Sequence, residues 1–92
     1  MIQGNGIQEE RRNVYSLDLG ELEKGVDMEE IVEVSDKVVK VSSSCTCTAA
    51  NVEGGKVSIK PKTKTTGRFS PRVAITTEKG HTVYLNIKYK VI

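Results

Sequence analysis

Ninety-two residues suffice for one domain with a single modest core. No run of about eighteen apolar residues offers a helical membrane span. Two cysteines are too few for a disulfide-rich scaffold. The formal net charge of +2 conceals an asymmetry: residues 1–34 carry nine acidic and three basic side chains, and residues 35–92 carry eleven basic and three acidic ones. Unless the fold mixes them, such halves give a molecule with an acidic and a basic side, suited to ordered contacts with neighbours.

The apolar residues are mainly β-branched, with 12 Val and 7 Ile against 4 Leu and 2 Met. They suit a pleated surface better than a helix. Residues 1–13, MIQGNGIQEERRN, are polar and without a period. They read as an extended N-terminal arm with no apolar secretory signal, and residues 14–92 read as the strand-rich domain. Val14–Leu19 alternates and ends at Gly20 as a first strand. Met28–Val34 is ambiguous. As a strand it places Met28, Val32 and Val34 on one face with the misfit Glu30; as a helix, Asp27 and Glu30 make a capping box. The Val-rich surroundings and short length favour the strand.

Val38–Val41 follows a turn at Ser35-Asp36-Lys37. Next comes Ser43-Ser44-Cys45-Thr46-Cys47-Thr48, which holds both cysteines. In a strand, residues two apart share a face, so Cys45 and Cys47 sit side by side. Gly54-Gly55 signals a turn. Lys56–Lys60 alternates and is expected to stop at Pro61. Residues 62–68 read as a basic, Thr-rich loop or edge strand, and Arg72–Thr76 alternates again. After a turn at Lys79-Gly80 comes the clearest strand. Val83, Leu85, Ile87, Tyr89 and Val91 face one way, and Tyr84, Asn86, Lys88 and Lys90 the other. About seven short strands separated by turns predict an all-β, immunoglobulin-like sandwich.

This order resembles a bacterial family of unknown function whose members carry a Cys-Gly-Cys-Thr signature in an immunoglobulin-like domain akin to Hydin and major-sperm-protein modules. The resemblance covers roughly residues 14–92. Cys45, Cys47 and Thr48 match the signature, and Thr46 replaces its glycine. Lys60-Pro61 stands where the family has proline followed by glycine, and Gly67-Arg68-Phe69 matches a glycine–aromatic step. The resemblance implies a fold and no chemistry.

The cysteines admit several readings. A closed zinc site needs more Cys and His ligands than Cys45, Cys47 and His81 supply; an open site, or a metal shared between two chains, would use those three. Parallel side chains two apart are poorly placed for a disulfide, and no helix N-terminus is at hand to lower a thiol pKa. Buried thiols serving as small apolar residues fit best. His81, beside Gly80, reads as a solvent-exposed turn residue. No catalytic constellation or phosphate loop emerges, so no enzyme activity, cofactor or small-molecule ligand is expected.

The basic run Lys60, Lys62, Lys64, Arg68 and Arg72 could meet phosphates. Phe69 is its sole interleaved aromatic, which argues against single-strand stacking. A solvated or subunit-facing edge that blocks stray strand pairing is the better reading. The expectation is a non-enzymatic structural module whose partners are protein subunits of a larger assembly. Its sharpest form is a virion protein of a tailed bacteriophage, made in the host cytoplasm, that decorates the capsid, with the arm (Arg11, Arg12) across a neighbouring subunit. That form rests on analogy with how such modules are used. The rivals are a surface or periplasmic adhesion module that binds protein or glycan through Tyr84, and a nucleic-acid-associated protein using the basic edge.

Overall fold

The computed structural model describes residues 2–4, 6–44, 48–53 and 55–92. Cys45 and Cys47, and with them the choice among buried thiols, disulfide and metal, lie outside the described residues. All regular structure among the described residues is β: β1 (Ile2–Gln3), β2 (Ile7–Arg11), β3 (Val14–Leu22), β4 (Glu30–Val34), β5 (Val38–Ser43), β6 (Thr48–Glu53), β7 (Lys56–Pro61), β8 (Gly67–Phe69), β9 (Arg72–Thr77) and β10 (Thr82–Val91). One sheet has the order β1-β4-β7-β6. The other has the order β2-β3-β10-β9-β5, with β8 also paired to β10. The β3–β10 pairing is parallel and the other pairings are antiparallel.

The core follows from alternation. Val83, Leu85, Ile87, Tyr89 and Val91 of β10 are buried against Val57 and Ile59 of β7 and Val32 of β4 within one hydrophobic cluster. Fully burying one such side chain is worth roughly 1.5–3 kcal/mol. Among the described residues the strands number ten against about seven expected, because β1, β2 and β8 are short and carry no apolar alternation. Met28–Val34 is a strand only from Glu30 onward. There is no helix there, so the capping-box reading is excluded. Glu30 opens the strand opposite Ile59, half-buried at its end. β7 also continues through Pro61, which pairs with Thr48; as the last residue of a strand, a proline removes little from the ladder.

The segment expected as an extended arm is built into the sandwich. Ile2 pairs with Val34 in the first sheet and is buried. Ile7 pairs with Leu17 in the second sheet and packs against the core. Two isoleucines anchor the segment, and the strand edges they meet satisfy its backbone groups. Residues 62–66 are no strand, yet they are held: the Thr63 hydroxyl donates to the Val26 carbonyl at 2.7 Å, and the Gly25 amide donates to the Thr63 carbonyl at 2.9 Å.

Candidate interaction face

Arg72 opens β9 just after the Ser70-Pro71 break that separates it from β8. Its backbone is clamped by one residue. The Arg72 amide donates to Ser44 Oγ at 2.9 Å, and the Ser44 amide donates to the Arg72 carbonyl at 2.8 Å. Because Val73 faces the core, Arg72 faces outward. The β9–β10 register sets Asn86 opposite Arg72 and Tyr84 opposite Ala74. Arg72 Nε donates to Asn86 Oδ1 at 2.8 Å, and the guanidinium carbon lies 5.6 Å from the centroid of the Tyr84 ring. Such a cation–π contact is worth about 0.5–1 kcal/mol at an exposed site. The Tyr84 amide is fixed in turn by the Asn13 carbonyl at 2.9 Å.

The outcome is a hydrogen-bonded platform on the outward face of the second sheet. Tyr84 is 39% exposed, and among the described residues Arg72 has no acidic partner. A guanidinium whose Nε is already engaged keeps its terminal nitrogens as a fork suited to a carboxylate. Beside the platform runs an open groove of about 400 Å³, whose lining includes Gln8, Glu10, Ser16, Asp18, Asn86 and Lys88.

The other expected interaction residues are scattered. Arg11 and Arg12 are exposed at the end of β2 and the turn after it, next to Val14, which pairs with Tyr84. Arg68 pairs with Lys90 at the far end of β10. Lys60 lies on the outer face of the first sheet, since its neighbour Ile59 is in the core. Lys62 and Lys64 lie in the exposed loop. The basic run is therefore not one edge: alternation and the sheet-to-sheet crossing put Lys60 and Arg72 on opposite faces of the sandwich.

The charge asymmetry along the sequence is largely mixed by the fold. Lys56 meets Glu33 at 3.6 Å, Lys60 meets Glu29 at 3.5 Å and Lys90 meets Glu21 at 3.9 Å, each joining the acidic first half to the basic second. Asp36 pairs with Lys79 at 3.3 Å. These exposed pairs contribute little stability, about 0–1 kcal/mol each, and they engage eight of the 26 charged side chains. Ser58 Oγ donates to Glu29 at 2.6 Å. That bond first, and Lys60 beside it, holds the Glu29 carboxyl below its usual range. Burial, reinforced by Glu9, pushes the Tyr15 phenol above its usual value.

His81 is exposed, and its carbonyl accepts from the Thr77 amide at 2.9 Å. Among the described residues no three His, Cys, Asp or Glu side chains gather as a metal site, and no helix is long and apolar enough to cross a membrane. Tyr84 and Asn86 were legible as sharing the outward face of β10, and Arg72 as part of a basic run. That Asn86 and Ser44 fix Arg72 was not; that signal lies in the strand register, which local sequence does not carry.

No protein-family model matches the chain, and no curated protein matches it in sequence. Among solved structures, the M1 domain from titin is similar, with a TM-score of 0.53 over 83% of this chain and 89% of that one, at 15% identity. A likeness at that identity shows the fold: this chain is an immunoglobulin-like β-sandwich.

Proposed function

We propose that this chain is a non-enzymatic interaction module that engages a protein partner through the Arg72–Tyr84–Asn86 platform. The observation that carries this reading is an arginine fixed by Asn86 and Tyr84 on an exposed sheet face and, among the described residues, without an acid to pair with. Rigid aromatic and arginine side chains are the usual anchors of protein interfaces, and pre-organisation lowers the entropy lost on binding. The reading is tested with a photo-crosslinking residue at the exposed Ser42, which borders the platform through Ala74. A discrete protein adduct formed in the producing cells and lost in Arg72→Ala is expected. An adduct indifferent to both Arg72→Ala and Tyr84→Ala, or none at all, sinks the reading.

The finer form is a decoration protein on the capsid of a tailed bacteriophage, related to the Cys-Gly-Cys-Thr family. The immunoglobulin-like sandwich and the resemblance of residues 14–92 support it. Co-sedimentation of the chain with tailed-phage particles from the producing strain tests it. A second reading, glycan adhesion, draws on the groove beside Tyr84. Its planar polar side chains Gln8, Asp18 and Asn86 are of the kind that hydrogen-bond sugar hydroxyls. Loss of glycan-array signal in Tyr84→Ala would favour it.

A further inference from the structure

We infer that the occupant of the platform is a second copy of this chain, docking head to tail through its loop of residues 23–29; the inference rests on the platform reading above. That loop, too, is held by hydrogen bonds. The Lys24 amide donates to the Ile92 carbonyl at 3.0 Å, the Gly25 amide to the Thr63 carbonyl at 2.9 Å and the Val26 amide to the Glu23 carbonyl at 3.2 Å. The Thr63 hydroxyl closes the set on the Val26 carbonyl.

So held, the loop presents one apolar side chain between two acids. Val26 is 46% exposed, between the exposed carboxylates of Glu23 and Asp27. Among the described residues neither acid forms an ion pair. The platform offers the complement, an unpaired guanidinium beside a part-exposed aromatic ring. An apolar side chain flanked by carboxylates matches an aromatic flanked by a guanidinium in both charge and polarity.

One chain cannot satisfy both surfaces. The loop is tied to Ile92, and Tyr84 stands eight residues earlier along β10, about 25 Å away in an extended strand, in a molecule whose longest extent is 39 Å. The match is therefore between copies, and because the two patches differ, the contact is heterologous. It propagates into rings or filaments and does not close as a two-fold dimer. A net charge of only +2 opposes such stacking weakly. The contact is small, so a weak association is expected.

The test is sedimentation velocity of the whole chain from about 10 μM to about 1 mM, a range suited to weak contacts. Concentration-dependent growth beyond the monomer is expected, and it should weaken as salt rises because the contact is between exposed charges. Arg72→Glu and Asp27→Arg should each weaken association roughly tenfold or more, and the two combined should restore it. Both side chains are exposed, and thermal melting confirms that each variant folds. A chain that stays monomeric throughout, association unmoved by Arg72→Glu, or a combined variant no better than the single ones overturns the inference. If self-association fails while the Ser42 crosslink still captures another protein in an Arg72-dependent way, the platform reading stands and only the self-docking falls. If that crosslink also fails, both fall.

Discussion

Thr48 Oγ1 and the Tyr89 hydroxyl lie 3.2 Å apart in a buried hydrogen bond that ties β6 of one sheet to β10 of the other. Phe69 stacks on the same tyrosine, with ring centroids 5.1 Å apart and an interplanar angle of 25°. Thr48 directly follows the cysteine run, so the Cys-Thr-Cys-Thr sequence ends on a side chain that links the sheets.

Tyr89→Phe keeps the stacked ring and removes the hydroxyl. A net loss of about 1 kcal/mol is expected, read as a drop in melting temperature of roughly 4–8 °C for a domain this size. Tyr89→Ala also opens a cavity and should cost about 3–5 kcal/mol. Equal losses in the two variants would show that the hydroxyl, and not the ring, matters at this position.

Gly67 has φ +141°, backbone that side-chain-bearing residues rarely adopt. An added Cβ would lie 3.9 Å from the Phe69 ring, so space is not the obstacle. Gly67→Ala should lower stability by about 1–3 kcal/mol through backbone strain, measured by urea denaturation. An unchanged denaturation midpoint would show that the turn relaxes freely.

Glu29 gives stability an acid limb. Its carboxyl is held low in the folded chain by Ser58 and then Lys60. The stabilisation is therefore present above the carboxylate's unfolded pKa and is lost as pH falls through the folded one. Ser58→Ala should flatten the decline in denaturation midpoint between about pH 6 and pH 3. Identical acid limbs in the two proteins would remove Glu29 as its source.

Tyr15 works in the opposite sense. Its phenol is raised above 10.0 by burial and then by Glu9, so the folded state holds the proton more tightly. Its contribution is complete below the unfolded pKa and declines as pH rises through the folded one. Alkaline denaturation of wild type and Tyr15→Phe checks this: the variant should show a shallower decline above about pH 10.

The sequence made the faces of β10 plain, because five apolar residues at period two admit one arrangement against a core. Alternation alone did not reveal the burial of Ser58, which shares a strand face with Lys56 and Lys60 yet is 1% exposed. β7 is a central strand flanked by Ile31 and Asn51, and Glu29 bonds to the hydroxyl. The same limit applied to Arg72. Its place in a basic run was visible, but its partners come from residues 14 and 28 positions away, brought close by a hairpin and by the β5–β9 pairing. The charge asymmetry misled for a related reason. Neighbours along the chain share a sign, and the sheets then place opposite signs side by side.

The parallel pairing of β3 with β10 also sets a timetable for synthesis. Leu17 meets Ile87 and Tyr15 meets Leu85 across some seventy intervening residues, and β10 follows in sequence every strand it joins. Until residues 82–91 clear the ribosome, β3 and β9 lack the strand that sits between them, and the edges that β10 fills stay unpaired. Contacts so distant along the chain slow folding, and unpaired strand edges invite association with other chains. During that interval the second sheet can pair through the β2–β3 hairpin and through β5 with β9, and the bulge between Glu9 and Arg11 and the charges of β2 are of the kind that discourage stray pairing at an open edge.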